Sequence, residues 1–463
     1  MNVKPLHSPR QDRSEEQSRA PRRGPAVAAT LVLSLVLSSC ASHAELDTLK
    51  PKGKISREVN NLITPVFVVA GIVLLLIGGA TLYMVKRFGV KSYEEGDFPE
   101  QVHGNTKLEI GWTIVPALIL AVVAVGTVSV LQDQNHYDKK NALSVVVVGQ
   151  QWWWEYRYYD GGFDPAKDYD PGIDVRVDAV QNHDGKVEKH PVVVTPTQLV
   201  IPTNREVDLY ISSRDVIHSF WIPALNGKRD AVPGRIAPWK IEADEPGVYF
   251  GQCTEFCGLS HSRMRMQVVA MTPADYDTWL AQQKVPATAP TAEGQKWLDQ
   301  QKAITAKTFD PKADPSKVVA APTASAADRG MVIFRGQCSR CHLASGIDED
   351  LNDGTARVLT DAAKNVYTSQ QVSNAAPNLT HFSSRTTFAG GIFNLYNADG
   401  TLNQPQLEAW LRNPPKEKDA YAQGNRGMPN LGLSEDQIND LVAFLTGLGQ
   451  KPSQDIIAKT EVQ

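Results

Sequence analysis

Residues 253–264 read CTEFCGLSHSRM, a segment in which two cysteines are followed by a histidine and a methionine. A further histidine, His218, lies upstream in the stretch DVIHSFWIP at 215–223. Thiolate, imidazole and thioether groups are soft ligands, and this combination favours copper over magnesium, calcium or manganese. A mononuclear blue-copper site uses one cysteine, two histidines and a methionine, so the second cysteine allows two copper ions to be bridged.

Zinc is the main competing metal for this set of ligands. Cys253, Cys257, His218 and His261 together also suit a tetrahedral zinc site. Zinc leaves Met264 without a role, but ligand type alone keeps both metals open.

The sequence around these ligands is rich in short β-branched and aromatic runs. Between about 142 and 269, runs such as 144–148 (SVVVV) and 207–211 (VDLYI) are separated by Pro, Gly, Asn and Asp. Short strands with frequent turn signals predict a β-sandwich or barrel. The stretch 160–190, rich in Asp and Gly, is expected to form an elongated loop.

Two long apolar runs precede this region, at about 62–85 and 113–131. Each approaches the roughly 20 apolar residues that cross a bilayer as a helix, and neither contains a charged residue. Lys86 and Arg87 directly follow the first run. The positive-inside rule therefore places that end in the cytoplasm and everything after residue 132 outside.

A shorter apolar stretch near the N-terminus, at about 26–37, follows two arginines and ends in LSSCA at 37–41. This pattern predicts a signal peptide over 1–39 with a lipobox, in which Cys40 is acylated and becomes the new N-terminus. A third membrane helix with an incidental cysteine is the alternative interpretation.

Residues 338–342 read CSRCH, the C-x-x-C-H pattern of c-type haem attachment. Cys338 and Cys341 lie one helical turn apart, which suits thioether bonds to both vinyl groups, while His342 reaches the iron. This motif predicts a covalently attached haem in the C-terminal part of the chain.

The second axial ligand of this haem is expected to be Met428, in the triplet Gly-Met-Pro, because Met/His ligation raises the haem potential. Met428 is the only methionine that follows the attachment motif. His381 is the alternative ligand.

Composition divides the remainder of the chain into domains. The stretch 283–326 is rich in Ala, Pro, Thr, Lys and Gln, which is typical of a linker between a β domain at 135–282 and a C-terminal domain at 327–450. A membrane hairpin at 40–134 precedes them. The net charge of −4 argues against a nucleic-acid partner, which would need a concentrated basic face.

The segments around the paired cysteines resemble the dicopper domain of cytochrome c oxidase subunit II. The resemblance rests on 253–264, on 215–223 and on GKRDAVPGR at 227–235. The haem motif, with 376–380 (APNLT) and 407–414, resembles the cytochrome fused to subunit II in caa-type oxidases. Together they imply a multidomain fold, with a two-helix transmembrane hairpin, a cupredoxin-like β-sandwich or barrel, and an all-α class I cytochrome c domain.

In that family both cysteines bridge the two ions of a dinuclear copper centre, called CuA. The resemblance assigns His218 and Met264 to one copper, and His261 with the backbone carbonyl of Glu255 to the other. It also implies that the Glu255 side chain reaches a magnesium ion at the interface with subunit I. Asp215 is implied as a partner that orients His218.

Two further positions acquire roles from the resemblance. The segment QWWW at 151–154 matches the aromatic segment over the dicopper site, and Trp152 is implied as the residue through which electrons enter. For Trp153 and Trp154, simple alternation between the core and rim of a strand is the alternative. Glu109 corresponds to a carboxylate near the cytoplasmic mouth of a proton path in the partner subunit; chemistry alone indicates an acid at a helix end.

The implied function is electron transfer into a proton-pumping terminal oxidase. Cytochrome c or a quinol–cytochrome c reductase complex would reduce haem c, and electrons would pass through CuA to subunit I, where oxygen is reduced to water. This chain itself would hold no catalytic residue. It would work beside subunit I and other oxidase subunits in a bacterial cell membrane, with both soluble domains on the periplasmic face.

Two other functions stay open. A dicopper donor domain could serve a nitric oxide reductase, which would be distinguished by whether the associated large subunit consumes oxygen. A copper-binding or scaffolding lipoprotein would need no haem motif, aromatic segment or hairpin.

Overall fold

The computed structural model describes residues 44–89, 103–135, 142–159, 161–163, 180–181, 187–189, 191–348, 351, 376–420 and 427–460. The predicted signal peptide at 1–39, Cys40 and most of the loop predicted at 160–190 lie outside these residues. The described residues from Leu46 onward belong to one compact unit.

Two long apolar helices, α1 (Lys54–Phe88) and α2 (Thr106–Gln134), confirm the predicted pair. Both are longer than predicted because polar turns at their ends continue the helix beyond the apolar run. Their apolar side chains are exposed, as suits a surface that faces lipid. Lys54, at the start of α1, lies 3.6 Å from Asp133, at the end of α2, so the two helices run antiparallel.

A β domain follows the hairpin. Its strands are β1 (Leu143–Gln150), β2 (Trp153–Tyr158), β3 (Val180–Gln181), β4 (Val187–Lys189), β5 (Val193–Pro196), β6 (Gln198–Pro202), β7 (Val207–Ser213), β8 (His218–Trp221), β9 (Lys228–Ala231), β10 (Ala237–Ile241), β11 (Gly247–Gln252) and β12 (Arg265–Met271). One sheet has the order β10-β7-β1-β2-β5 and a second has the order β11-β12-β6, while β3-β4 and β8-β9 form separate pairs.

The two larger sheets enclose one apolar core, which confirms the predicted β-sandwich. Val145 and Val147 of β1 pack in this first core with Leu199 of β6. Val146 and Val148 point to the other side of the sheet, where they pack with a smaller aromatic group. Successive side chains of a strand alternate between faces, so the unbroken valine run reflects burial of both faces of β1.

The segment predicted as a linker is structured over part of its length. After α3 (Pro273–Gln283), residues Ala292–Thr305 form α4, which begins at the N-cap Thr291. Trp297 and Leu298 on α4 are buried in the core of the C-terminal domain. This differs from the predicted linker at 283–326, because two large apolar side chains are enough to fix the helix against that domain.

The C-terminal domain is mainly helical. Its elements are α5 (Ala326–Ile333), β13 (Thr387–Phe388), β14 (Phe393–Asn394), α6 (Gln404–Arg412), α7 (Pro414–Glu417), α8 (Glu435–Leu445) and α9 (Gln454–Lys459). Helix α5 crosses α8 at Gly330, where a Cβ atom would lie 2.0 Å from the Asp440 carbonyl oxygen. Phe334 and Phe444 pack beside this crossing with their ring centroids 5.4 Å apart.

The C-terminal domain packs directly on the β domain. The side chain of Gln198 accepts a hydrogen bond from the Thr386 amide at 3.0 Å, and Arg265 donates its amide to the Gly390 carbonyl at 3.0 Å. On α9, Ile456 packs against the first core, whereas its neighbour Ile457 is buried in the core of the C-terminal domain. The two cores are therefore joined at several points.

Candidate functional site

The sulfur and imidazole side chains predicted to bind metal meet at one end of the β-sandwich. His218 begins β8, and Cys253 directly follows β11. The loop between β11 and β12 then supplies Cys257, His261 and Met264, and it closes through a hydrogen bond of 2.9 Å from the Cys253 amide to the Met264 carbonyl. Antiparallel pairing of β11 with β12 fixes both ends of this loop.

The potential ligand atoms form a continuous series. His218 Nδ1 lies 3.9 Å from Cys253 Sγ, which lies 3.8 Å from Cys257 Sγ. Cys257 Sγ is in turn 3.5 Å from His261 Nδ1 and 3.8 Å from Met264 Sδ. The Glu255 carbonyl oxygen lies 3.3 Å from Cys253 Sγ. The two sulfurs occupy the middle of the series and the two imidazoles its ends.

These separations fit a shared metal centre. Two ligand atoms bound to one ion at about 2.3 Å can be no more than about 4.6 Å apart, and every separation in the series is shorter. His218, Cys253 and Cys257 form a compact group on their own. Because the imidazoles stand at opposite ends of the sulfur pair, the set suits two bridged ions better than one.

The two thiols shift each other's pKa in opposite directions. The Cys257 thiol hydrogen-bonds to Cys253 and lowers the pKa of Cys253 to about 4, while the same contact raises the pKa of Cys257. Both sulfurs are buried, and none of the cysteines in the described part of the chain forms a disulfide. Cys253 is thus the thiol that loses its proton more readily, and a bound soft cation would displace the protons of both.

Asp215 orients the imidazole of His218. Its carboxylate Oδ1 lies 2.8 Å from His218 Nε2, and Oδ2 accepts the Gln151 amide at 2.8 Å. Burial is the largest single influence and would raise the pKa of Asp215, but the hydrogen bond and charge of His218, together with the amides of Gln151 and Val216, lower it overall. For His218, burial is the largest single influence and would lower the pKa, but Asp215 and Cys253 together raise it. The carboxylate thereby directs Nδ1 toward Cys253.

Trp152 connects the aromatic segment to the cysteine loop. Its indole Nε1 donates to the Cys257 carbonyl at 3.0 Å, and Gln151 Nε2 donates to the same oxygen at 2.7 Å. Only 3% of Trp152 is exposed. Trp153 and Trp154 lie on β2, and Trp154 packs edge-on against His218.

The C-x-x-C-H motif lies at the end of α5. A π-helical turn, Phe334–Cys338, continues that helix, and the His342 amide returns to the Cys338 carbonyl at 2.9 Å. His342 Nδ1 lies 2.8 Å from the Pro377 carbonyl oxygen. A carbonyl only accepts, so Nδ1 carries the proton and Nε2 is the nitrogen that would ligate an iron.

Met428 and Cys338 both pack against the core of the C-terminal domain. Both predicted haem-binding residues therefore belong to the same domain. His381, the alternative ligand, instead places Nε2 at 2.9 Å from the Gln283 carbonyl. Burial lowers the pKa of His381 to about 4, so this imidazole is neutral and donates to that carbonyl.

The two predicted acidic positions are on the surface. Glu109 lies in the first turn of α2 and is exposed. Glu255 is also exposed, beside Phe256, which is 77% exposed.

Sequence reasoning missed Lys418 and Gln151. The ammonium of Lys418 donates to the Trp152 carbonyl, and Gln151 braces the Cys257 carbonyl. Both contacts involve backbone oxygens, which carry no sequence signal. Gln151 was at least visible as the first residue of the aromatic segment.

Comparison with known proteins decides the family. The family model described as cytochrome C oxidase subunit II, transmembrane domain, matches residues 50–130, and the model of its periplasmic domain matches 143–271. A cytochrome c oxidase subunit 2 from Cereibacter sphaeroides is 34% identical over 227 residues, covering 46% of this chain and 74% of that protein. The chain belongs to the cytochrome c oxidase subunit II family.

Two other proteins are similar to this subunit II. A cytochrome c oxidase subunit 2 from Alkalihalophilus pseudofirmus is 29% identical over 423 residues, covering 90% of this chain and 94% of that protein. A crystal structure of the periplasmic domain of subunit II of cytochrome oxidase from Bradyrhizobium japonicum is 28% identical, with a TM-score of 0.23, and covers 31% of this chain and 95% of that chain.

Family membership establishes the setting of this subunit II. It is a subunit of cytochrome c oxidase, a haem-copper oxidase, and therefore lies in a membrane beside subunit I. Its β domain lies on the outer face, and the family together with the His–Cys–Cys group indicates a copper centre.

Proposed function

We propose that this chain relays electrons within its oxidase, from a haem c in the C-terminal domain through a dinuclear copper centre to subunit I, which reduces oxygen to water. The observation that carries the proposal is the unbroken series of ligand atoms from His218 through both cysteines to His261. When bound there, a copper pair supplies a one-electron change shared over two ions.

Each ligand has a distinct role in the proposed centre. Cys253 and Cys257 would bridge the ions, His218 and Met264 would complete one of them, and His261 with the Glu255 carbonyl would complete the other. The observed contacts group Met264 with Cys257 and the Glu255 carbonyl with Cys253. Since each bridging sulfur would bind both ions, this grouping is compatible with the proposed pairing. Burial of both sulfurs excludes water from the centre.

The proposal for the C-terminal domain rests on its donor set and its helix crossing. Cys338 and Cys341 would hold the haem covalently, with His342 and Met428 as axial ligands. The hydrogen bond to the Pro377 carbonyl fixes the ring of His342. The alignment with the relative from Alkalihalophilus pseudofirmus covers 90% of the chain and so extends beyond the matched periplasmic domain into the C-terminal domain.

Further properties follow from the proposed function. Cytochrome c or a quinol–cytochrome c reductase complex would be the electron donor, and Trp152 would receive electrons for the copper centre. The complex would pump protons, with Glu109 near the mouth of the proton path. Glu255 would reach a magnesium ion at the subunit I interface, and Cys40 would be lipidated after removal of 1–39 in a bacterial cell.

The proposed domain boundaries are a hairpin at 40–134, a copper domain at 135–282 and a cytochrome domain at 327–450. The buried side chains of Trp297 and Leu298 lead us to add α4, within 283–326, to the C-terminal domain.

Metal analysis and visible and near-infrared absorption of the purified oxidase test the proposal. We expect two copper ions at this subunit and one haem c per chain. Replacement C253S or C257S should remove copper from this centre and oxygen consumption by reduced donor, while the exposed variant S262A retains both. One zinc ion and no haem would refute the proposal, and a complex that consumes nitric oxide but no oxygen would assign the chain to another reductase.

A further inference from the structure

Lys418 is a buried lysine at the contact between the C-terminal domain and the copper domain. Its ammonium donates to the Trp152 carbonyl at 2.7 Å and to the Ala389 carbonyl at 2.8 Å, so it joins the two domains. Only 8% of the residue is exposed, and no carboxylate among the described residues forms an ion pair with it. A buried amine between neutral acceptors is unfavourable unless both hydrogen bonds are made.

A tight loop at 389–391 closes around the Lys418 ammonium. Gly390 has φ +77, and a Cβ atom there would lie 2.3 Å from Lys418 Nζ and 2.5 Å from the Trp152 carbonyl oxygen. The Gly390 carbonyl accepts the Arg265 amide of β12 at 3.0 Å. Only glycine satisfies both the backbone conformation and this close approach.

The residues on either side of Lys418 accept hydrogen bonds from the loop that carries the proposed copper ligands. Ser260 Oγ donates to the Asp419 carbonyl at 2.5 Å, and the Arg263 guanidinium donates to the Glu417 carbonyl. Ser260 and Arg263 stand on either side of His261. Segment 417–420 therefore contacts the copper-site loop on both sides of a proposed ligand.

These contacts form a short route from the C-terminal domain to a copper-bridging sulfur residue. Lys418 holds the Trp152 carbonyl, and the Trp152 indole donates to the Cys257 carbonyl at 3.0 Å. Only 3% of Trp152 is exposed, and Ala420 of the C-terminal domain packs against the core that contains it. A separate donor protein would have no access to this tryptophan while the domains are docked.

We propose that Lys418 is a positioning residue that holds the C-terminal domain on the Trp152 surface, so that the copper centre receives its electrons from this chain's own haem domain. This inference rests on the proposed function. The electron-transfer step that this docking would support moves one electron from the haem iron to the copper pair. The iron would be oxidised by one electron and the copper pair reduced by one electron. No bond or proton needs to move in that step.

The test compares K418M with K416M in the full oxidase. Methionine keeps the length of the side chain and removes both donors, and the exposed Lys416 provides the same charge change two residues away. Docking is measured by hydrogen exchange at the amides of Arg265 and Thr386, which donate across the domain contact. Electron transfer from photoreduced haem to the copper pair is followed by absorption.

For K418M we expect amide exchange to be about tenfold or more faster at both positions, and electron transfer to be about tenfold or more slower, because the two hydrogen bonds that the buried amine donates are lost. Copper content, haem content and their absorption bands should stay unchanged, since Lys418 is not a ligand. K416M should match the unaltered protein in every measurement. Unchanged exchange in K418M, or faster exchange with an unchanged transfer rate, would overturn the proposal.

A second pair of variants covers the case in which K418M does not fold. G390A places a methyl group between Lys418 and Trp152, while G234A introduces the same backbone strain at φ +71 with no atom within 4 Å. G390A alone should speed exchange at Arg265 and Thr386; equal exchange in both variants would contradict the proposal. A protein without copper or haem would refute the proposed function itself, and the exchange measurements would still decide whether Lys418 holds the domains together.

Discussion

The carboxylate of Asp215 lies 2.8 Å from Nε2 of His218, and the opposite nitrogen of the same ring faces the Cys253 sulfur at 3.9 Å. Asp215 thus orients the imidazole of His218, a proposed copper ligand, through the ring nitrogen that faces away from the sulfur. Such a carboxylate selects the tautomer and raises the basicity of the ligating nitrogen.

Replacing Asp215 should weaken the copper centre without removing a ligand. We expect D215N to lower copper affinity by about 10- to 100-fold, as is usual when the partner of a metal-bound histidine is lost. Copper content after dialysis against a chelator measures this, with the exposed D230N as control. Equal retention of copper by D215N and D230N would show that the carboxylate does not support the ligand.

Met428 and His381 give opposite expectations for the haem. M428H should lower the haem reduction potential, because a second histidine replaces a ligand that raises it. H381N should leave the potential unchanged, since Nε2 of His381 is engaged with the Gln283 carbonyl. Redox titration of both variants decides the assignment, and the reverse pattern would make His381 the axial ligand.

The crossing of α5 and α8 should be intolerant of any side chain at position 330. A Cβ atom in G330A would lie 2.0 Å from the Asp440 carbonyl, so the helices must separate. We expect a loss of about 1–3 kcal/mol in the free energy of unfolding of the two joined domains. Chemical denaturation measures it against G336A, where nothing lies within 4 Å; similar losses in both variants would rule out the helix contact as the cause.

The buried amine of Lys418 should make the domain contact depend on pH. Burial lowers the pKa of Lys418 in the folded protein to about 7, well below its ordinary value of 10.5; Arg263 lowers it further, and Cys257 opposes this. Between these two values the unfolded chain binds more protons, so stability rises with pH across that interval.

The measurement is the free energy of unfolding of the unaltered protein minus that of K418M. This difference should grow as the pH is raised from about 7 toward 10.5 and should be constant below about 6. A difference that falls over the same interval would contradict a lowered pKa of Lys418 in the folded protein.

The sequence revealed most about features that are local. Cys253, Cys257, His261 and Met264 lie within one loop, so their spacing predicted a shared site, and the structure brings their ligand atoms together; their roles stay predictions. The two membrane helices and the β-sandwich are confirmed. They were predictable because long apolar runs and short β-branched runs are each compatible with few other secondary structures.

Contacts between distant segments could not be predicted in this way. Lys418 and the Trp152 carbonyl that it binds are 266 positions apart, and a backbone oxygen leaves no mark on the sequence. The segment 283–326 was predicted as a linker because its overall periodicity is poor. Two buried side chains, Trp297 and Leu298, nevertheless hold α4 against the C-terminal domain.

The last helix has a thermodynamic consequence for the whole soluble part. Ile456 and Ile457 are adjacent in the chain, yet each is packed among the apolar side chains of a different domain. Unfolding of either domain would expose apolar side chains of the other to water and would disrupt the helical turn that both domains share. Heating should therefore produce a single merged calorimetric transition rather than two separate peaks.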